Sequence, residues 1–402
     1  MPASFRRAAN GLPRALFDGV QELKEGDSCL KAWPVLGIVF VQSFLLLAHW
    51  FLYETWTAFG GDPGPAGGMA LRIVLLLLGC SFVVAALLSF YSASLLVTGI
   101  YRVAAVWLGF LNYFFFGACL TWLTWGVLQL SRLNADAAKL RPAIAWLFLG
   151  LSLAAGVYGL VNARLVRVRR IPIYLPTLPP SWRGRTALVI SDLHLGHVNG
   201  LRFSRRIAAL ASRLKPDILL IPGDFFDGTK VDPDSLAAPF KQVSPPFGIY
   251  FSSGNHDEFG DTAHFLSALT GAGVRVLANE KVVIDGLQIL GVPYHDTTFP
   301  IRMRATLEAL RLDPASASVL LNHVPNRLPI VEEAGVSLQL SGHTHGGQLF
   351  PYTFLTRRIF GPFTHGLNRF GRLQVYTSYG AGTWGPPMRV GTSPEVVLLT
   401  FE

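Results

Sequence analysis

Five short groups of residues between Asp192 and His345 concentrate side chains that bind metal ions. They read Asp-Leu-His at 192–194, Gly-Asp-Phe-Phe-Asp at 223–227, Gly-Asn-His-Asp at 254–257, Asn-His at 322–323 and Gly-His-Thr-His at 342–345. Carboxylate, amide oxygen and imidazole together suit two divalent cations that assist hydrolysis of a phosphate ester. The set contains no cysteine, which argues against a structural zinc finger.

Each group stands at the end of a short apolar run that predicts a buried strand. The predicted strands are Thr186–Ser191, Asp217–Pro222, Gly248–Ser253, Ser318–Leu321 and Val336–Leu340, with a further strand at Gln288–Val292 that carries no ligand. Helical spacing occurs in Phe203–Leu214, Ala263–Ala272 and Ile301–Leu312. Loops at the carboxyl ends of such strands converge in α/β folds. The pattern therefore predicts an α/β sandwich whose helices cover two mixed sheets and whose site lies at one edge.

The composition divides the chain into an apolar half and a soluble half. Of 402 residues, 51% are hydrophobic and only 15% are charged, whereas soluble domains carry about a quarter charged residues. The apolar excess lies before Arg164, and the three cysteines give no disulfide framework. The net charge of +9 forms no continuous patch. Membrane lipids are therefore the expected partners of the basic residues, and nucleic acid is not.

Four stretches are long and apolar enough to cross a bilayer, which requires roughly 20 helical residues. They are Trp33–Phe59, Ala70–Tyr91, a span within Leu95–Leu130, and Pro142–Val161. The third stretch exceeds one untilted span, and Arg102 is expected to mark its polar end. The predicted organisation is an N-terminal segment 1–32, an all-α anchor of four transmembrane helices 33–163, a basic and proline-rich linker 164–185, and a catalytic domain 186–402.

The distribution of Lys and Arg predicts the orientation of this anchor. With four spans, the N-terminus, the second loop and the C-terminal domain share one side, which carries Arg6, Arg7, Arg14, Lys24, Lys31, Arg102, Arg164, Arg167, Arg169 and Arg170. The other side carries Arg72, Arg132, Lys139 and Arg141. The positive-inside bias then predicts a multi-pass protein of the cell membrane with a cytoplasmic catalytic domain.

In order and spacing, the five groups resemble the calcineurin-like metallophosphoesterases over about Thr186 to Phe401. Four apolar spans before such a domain also resemble the membrane-anchored branch of that family, which includes transmembrane metallophosphoesterases and a UDP-diacylglucosamine pyrophosphatase. The resemblance implies a two-metal hydrolase whose ions are Mn, Fe or Zn.

Carried over position by position, the resemblance assigns two sets of ligands. Asp192, His194, Asp224 and His345 would hold the first metal, and Asp224, Asn255, His323 and His343 the second. Asp224 would bridge the ions, and a shared hydroxide would attack phosphorus in line. His256 would protonate the leaving oxygen or steady the phosphoryl group, with Asp257 orienting its imidazole. Asp227 is a further candidate to support a ligand, although Asp227 and Asp257 also suit turns.

Two segments late in the chain bear on the substrate. Arg389 ends a Gly/Pro-rich loop, 380–389, and is a candidate to clamp a phosphate, with a surface salt bridge as the alternative. His365 is the second candidate substrate residue. It lies in Leu349–Phe370, where aromatic residues alternate with arginines as in a membrane-interface contact or a lipid-tail groove, with burial in the core as the alternative.

The sequence thus predicts a membrane-bound dimetal phosphohydrolase. Its substrate would be a phosphorylated small molecule or lipid containing a phosphodiester or pyrophosphate bond. The alternative is a membrane-anchored sensor or scaffold that uses the same domain for binding. A nuclease is a third option, and the lack of a separate basic groove argues against it.

Overall fold

Four long apolar helices make up most of the described N-terminal residues in the computed structural model. The structure describes residues 27–61, 63–131 and 137–402, with only the backbone described for 27–34 and 137–139, so most of the predicted segment 1–32 lies outside the described residues. The helices are α1 (Asp27–Phe59), α2 (Gly64–Ser89), α3 (Leu95–Leu130) and α4 (Ala137–Asn162). Each is long and apolar enough to cross a membrane. The expected four-helix organisation is therefore confirmed, and α3 is one continuous helix of 36 residues.

Small residues bring α3 and α4 close together. A Cβ on Gly117 would lie 2.3 Å from Ser152 Oγ, and one on Gly156 would lie 2.3 Å from the ring of Phe110. Ser152 also donates a hydrogen bond to the carbonyl of Tyr113 at 2.8 Å. Close backbone approach at small residues is typical of helices that pack within a membrane.

The C-terminal half contains two six-stranded mixed sheets. In chain order the strands are β1 (Arg167–Ile173), β2 (Thr186–Val189), β3 (Ile218–Ile221), β4 (Ile249–Phe251), β5 (Val274–Val276), β6 (Glu280–Ile284), β7 (Leu287–Gly291), β8 (Ser318–Leu321), β9 (Leu338–Ser341), β10 (Gly366–Phe370), β11 (Leu373–Thr377) and β12 (Glu395–Phe401). The first sheet has the order β1-β12-β2-β3-β4-β5, and the second has the order β10-β11-β9-β8-β7-β6. Strands β2 to β5 are parallel, as are β7, β8, β9 and β11.

Alternating side chains build the core on both faces of each sheet, as the two-residue period of a strand requires. In β3, Ile218 and Leu220 join the core between the sheets, while Leu219 and Ile221 face the outer helices. The helices of this half are α5 (Leu201–Leu214), α6 (Pro233–Ala237), α7 (Thr262–Gly271), α8 (Tyr294–Thr298), α9 (Pro300–Leu310), α10 (Leu328–Glu333) and α11 (Tyr352–Phe360). This arrangement confirms the predicted α/β sandwich.

The segment predicted as a linker, 164–185, instead contributes a strand to the first sheet. Strand β1 pairs in parallel with β12 over its whole length, from Arg167 opposite Glu395 to Ile173 opposite Phe401. It lies at the edge of the sheet, and its first four side chains are exposed. An edge strand tolerates arginines and a proline because one of its sides forms no ladder. The sandwich therefore begins at Arg167.

The sandwich packs directly against the helical bundle near the end of α4. Asn162 Nδ2 donates to the carbonyls of Arg389 and Thr392 at 2.9 and 2.8 Å. Near the start of α3, Arg102 Nε donates to the carbonyl of His197 at 2.6 Å. These contacts, of which those of Asn162 are buried, join the loops of the sandwich to the helices.

Candidate metal centre

The predicted metal ligands converge at the carboxyl ends of the strands. Five of them have positive φ angles, a conformation that is uncommon for residues other than glycine: Asp192 (53°), His194 (45°), Asp224 (53°), His343 (68°) and His345 (46°). Such backbone strain concentrates where a structure holds side chains in a required geometry. The strand ends thus turn sharply and bring side chains from both sheets to one place.

The first cluster contains Asp192, His194 and His345, whose donor atoms lie within 4.8 Å of one another. The Nε2 atoms of His194 and His345 are 3.0 Å apart. Asp192 Oδ1 lies 3.5 Å from His345 Nε2 and also accepts the backbone N–H of His343 at 2.9 Å. All three side chains are buried.

The second cluster contains Asp224, His323 and His343. Asp224 Oδ2 lies 3.0 Å from His323 Nε2, and His343 Nδ1 lies 3.0 Å from Asn255 Oδ1. The same Asp224 Oδ2 is 3.6 Å from His194 Nε2 in the first cluster. One carboxylate oxygen therefore borders both clusters, as a bridging ligand requires.

The spacing of these donor atoms fits bound cations. Two ligand atoms, nitrogen or oxygen, that bind one ion at a right angle, each about 2.1 Å from it, are about 3.0 Å apart. Three pairs of donor atoms have that separation. His323 Nε2 is buried without a hydrogen-bond partner, although it faces Asp224, while His323 Nδ1 contacts the carbonyl of Pro222 at 2.8 Å. A carbonyl partner on one ring nitrogen leaves the other free to coordinate a metal.

The electrostatics of the cluster also favour a cation. Burial by itself would lower the pKa of His323, but the carboxylate of Asp224 outweighs burial and raises that pKa to about 10. Burial and the neighbouring His323 lower the pKa of His343 to about 3. Asp224 thus stabilises positive charge at His323, and a metal bound there would take the place of the proton on this imidazole.

Glycines next to the ligands let the loops approach closely. A Cβ on Gly342 would lie 1.9 Å from Ser191 Oγ and 2.1 Å from Asp192 Oδ2. A Cβ on Gly254 would lie 2.2 Å from Asp224 Oδ1. Any side chain at either position would displace a ligand carboxylate.

His256 lies beside the ligand clusters without joining either of the sets inferred above. Its ring centre is 4.7 Å from that of His194, and its Nδ1 lies 3.2 Å from the carbonyl of Asp227. A carbonyl oxygen only accepts hydrogen bonds, so the hydrogen of this contact must be on Nδ1. Nε2 is therefore the nitrogen available to a substrate. Asp227 Oδ1 lies 3.5 Å from His194 Nδ1, a position that supports this ligand.

Asp257 differs from its expected role as the residue that orients His256. Its Oδ2 accepts the backbone N–H groups of Asp224 and Gly254 at 2.7 and 2.9 Å, and its Oδ1 accepts that of Phe226 at 2.9 Å. Burial, with a contribution from Asp224, raises its pKa to about 7. Both oxygens therefore tie the 224–226 and 254–257 loops together, and the carbonyl of Asp227 contacts the imidazole.

Arg389 also differs from the expected phosphate clamp. Its side chain is completely buried behind His345. Its Nη2 contacts His345 Nδ1 at 2.9 Å and donates to the carbonyls of Tyr379 and Gly382 at 2.7 and 2.6 Å. The guanidinium is thus occupied by the protein and braces the loop that carries a candidate ligand.

His365 likewise faces protein groups in place of the predicted substrate. Its Nε2 lies 3.1 Å from Glu395 Oε1, and its ring stacks on Tyr379 with the centres 3.5 Å apart. Glu395 is buried and also accepts the backbone N–H of Tyr379 at 3.2 Å. This cluster supports the same 379–389 loop as Arg389.

Trp384 is a site residue to which sequence reasoning assigned no role. Its ring centre is 5.5 Å from that of His256, and 56% of its surface is exposed. Trp384 lies in the Gly/Pro-rich loop 380–389. A large apolar residue in such a loop is the sequence feature that could have indicated a role at the site. An exposed aromatic ring beside His256 gives a substrate an apolar contact next to the metal ligands.

Comparison with known proteins agrees with this geometry. The profile of the calcineurin-like phosphoesterase family matches residues 185–347. The chain is 34% identical over 256 residues to an uncharacterized metallophosphoesterase of Aquifex aeolicus, covering 61% of this chain and 96% of that protein. It is 31% identical over 265 residues to a transmembrane protein with metallophosphoesterase domain of Danio rerio, covering 61% of this chain and 60% of the fish protein. An uncharacterized metallophosphoesterase of Campylobacter jejuni is 27% identical over 252 residues, again covering 61% of this chain and 66% of that protein.

Proposed function

The chain belongs to the calcineurin-like phosphoesterase family, and we propose that it is a membrane-bound dimetal phosphohydrolase. It would hydrolyse a phosphodiester or pyrophosphate bond of a lipid or lipid-linked substrate. The observation that carries the proposal is the position of Asp224 Oδ2, 3.6 Å from His194 Nε2 in one cluster and 3.0 Å from His323 Nε2 in the other. A carboxylate between two sets of donors is the arrangement that a two-metal site requires.

Each described ligand has one place in this proposal except Asp224, which serves both ions. Asp192, His194, Asp224 and His345 would hold the first ion, and Asp224, Asn255, His323 and His343 the second. When bound, the ions supply Lewis acidity and neutralise charge on the phosphoryl oxygens. The donor set suits Mn, Fe or Zn.

His256 is the proposed proton donor to the leaving oxygen. Because its Nδ1 hydrogen faces the carbonyl of Asp227, a proton for the leaving oxygen must come from Nε2. Burial and the neighbouring His194 lower the pKa of His256, so the ring must first take up a second proton, on Nε2, beside the anionic phosphate before it can act as the acid. Its position beside His194, with Trp384 on another side, places it at the border between the ligands and an apolar surface. A leaving group of amphiphilic character fits that border.

The lipid part of the proposal is supported by the apolar helices and by α11. Helix α11 exposes Phe354, Leu355 and Ile359, with 68, 58 and 65% of their surfaces accessible. Arg357 and Arg358 lie in its last turn. Apolar and basic residues on one short exposed helix suit the interface between lipid tails and anionic headgroups.

The experiment is hydrolysis of bis-p-nitrophenyl phosphate by the detergent-solubilised full-length chain. Chelation should abolish turnover, and Mn²⁺ should restore it. Asp224→Ala and Asn255→Ala should each lower kcat by at least a hundredfold, while Asp234→Ala, on the exposed surface, should retain wild-type activity. Bound metal without turnover in the wild type would instead support a binding or scaffold role.

A further inference from the structure

A large apolar cavity lies between the helical bundle and the candidate metal centre. Its volume is about 610 Å³. Phe44 and Ala48 of α1 and Leu111 and Phe115 of α3 line one side, and His343 and His345 line the same cavity. Two candidate metal ligands therefore border a space whose other walls come largely from apolar helices.

The depth of this cavity follows from the length of α3. Asn112 of α3 is itself a lining residue, and its Nδ2 donates to the carbonyl of Phe350 at 3.4 Å. A helix of 36 residues is about 54 Å long, which puts residue 112 about 26 Å from its start. The hydrocarbon core of a bilayer is roughly 30 Å thick. Any segment of about 30 Å of this helix of about 54 Å includes residue 112, so that residue lies within the core wherever along its length α3 crosses it. If α3 crosses the bilayer, the cavity lies at the depth of lipid tails.

The chemical character of the lining residues determines which class of ligand the cavity favours. Apart from Asn112, the lining residues of α1 and α3 are apolar, so a polar ligand would lose its hydrogen bonds to water on that side and gain few in return. The polar residues Thr344 and Gln348 lie on the segment that carries His343 and His345. An acyl chain forms no hydrogen bonds with water, so it loses none when it enters the cavity. The exposed face of α11 lies beside the cavity because Tyr352, its first residue, lines it, so a lipid tail has an apolar route from the bilayer.

We propose that this cavity binds one acyl chain of the substrate and thereby places the adjoining phosphate at His343 and His345. This inference rests on the proposed function and specifies its substrate: a phosphate ester or pyrophosphate that carries a long alkyl or acyl chain and enters from the membrane side. Ala48 limits the size of the subsite, since it lines the cavity and only 3% of its surface is exposed.

The test uses p-nitrophenyl methyl, octyl and hexadecyl phosphates with the Mn²⁺-loaded full-length protein in detergent micelles. For the wild type, kcat/KM should rise at least tenfold from the methyl to the hexadecyl ester. Ala48→Phe, which fills the cavity, should remove most of that rise. Leu47→Phe is the matched control, because Leu47 is the neighbouring residue of α1 and is 61% exposed. Leu47→Phe should keep the wild-type ratio of kcat/KM between the hexadecyl and methyl esters. Because the long ester enters micelles equally in both variants, the comparison separates binding in the cavity from that partition.

A second readout does not depend on turnover. A diazirine-bearing phosphatidic acid in phosphatidylcholine vesicles should label peptides containing residues 44–48 and 108–116 on irradiation. Ala48→Phe should reduce that labelling, and Leu47→Phe should not. If Ala48→Phe fails to elute as a folded protein in gel filtration, Ala48→Leu fills less of the cavity and should give a smaller effect in the same direction.

Two failures can be told apart. Hydrolysis of the methyl ester without any gain for the hexadecyl ester, or an unchanged ratio in folded Ala48→Phe, would overturn the acyl subsite and leave the proposed hydrolase in place. Loss of all hydrolysis in the metal-loaded wild type would overturn both.

Discussion

Arg389 contacts the candidate ligand His345 from the side opposite the metal cluster. Its Nη2 lies 2.9 Å from His345 Nδ1, whereas His345 Nε2 faces His194. The guanidinium also donates to the carbonyls of Tyr379 and Gly382. A guanidinium only donates, so a hydrogen bond to Nδ1 would put the hydrogen of a neutral imidazole on Nε2 and block coordination there. The support that Arg389 gives a metal-bound His345 is therefore to the loop behind it, through the carbonyls to which the guanidinium donates, and outer contacts of this kind set the affinity of a metal site.

Replacement of Arg389 should therefore weaken the first metal site. Lysine cannot reproduce the forked set of donors, so Arg389→Lys should raise the Mn²⁺ concentration needed for half-maximal activity by about 10- to 100-fold. Titration of activity with Mn²⁺ measures this change, and Arg358→Lys, on the exposed face of α11, is the control. A phosphate clamp would instead raise KM for substrate and leave the Mn²⁺ requirement as in the wild type.

Asp257→Asn should destabilise the domain as well as lower activity. Asparagine has one oxygen acceptor and one amide donor, so at least one of the backbone N–H groups that Asp257 accepts would lose its partner. The expected loss is about 1–3 kcal/mol of unfolding free energy. Chemical denaturation measures it, with the exposed Asp234→Asn as control. A lower kcat with unchanged unfolding would contradict a bracing role.

The contribution of Glu395 to stability should depend on pH. Burial opposes its ionisation, but the hydrogen bond and charge of His365 outweigh burial and hold the pKa of Glu395 below its usual value. A depressed folded-state pKa stabilises the fold above the ordinary value of about 4.3, and this stability is lost as pH falls through the folded-state pKa. The Tm difference between wild type and Glu395→Gln should thus be largest near pH 7 and shrink below about pH 4. A Tm difference that does not change with pH would contradict the pairing of an ionised Glu395 with His365. Glu308→Gln, on the surface of α9, controls for the loss of one charge.

The proposed cytoplasmic orientation predicts which residues a membrane-impermeant maleimide reaches in intact cells. In a background without Cys29, Cys80 and Cys119, Gly61→Cys in the loop between α1 and α2 should be labelled. Ser212→Cys, at the exposed surface of α5, should be labelled only after the cells are opened. The opposite pattern would place the phosphoesterase domain outside.

The clustering of the candidate metal ligands was predictable because local sequence determines where each one lies. Each lies within a few residues of a short apolar strand, and parallel strands bring their carboxyl ends to one edge. Asp192, for example, follows β2 by three residues, and Asp224 follows β3 by three. The left-handed backbone at both residues was not predictable from their types, since it arises from the loops that press against them.

The sequence placed Arg389, His365 and Asp257 near the site, but the contacts of each differ from the role predicted for it. Whether a loop arginine faces solvent or the interior depends on contacts with distant segments, such as the one between the Arg389 carbonyl and Asn162. Strand β1 was missed because an edge strand with exposed arginines has no alternating apolar pattern. The cavity has no sequence signature, because its walls come from residues about 300 positions apart.

The central claim is that two ions share Asp224, and metal content per chain tests it most directly. After Mn²⁺ loading and removal of free metal, mass spectrometry of metal and protein content should give two ions per chain for the wild type. His345→Ala and His343→Ala should each retain one, and Asp224→Ala should retain less than one. A wild type that binds a single ion, or an Asp224→Ala variant that keeps two, would contradict the account.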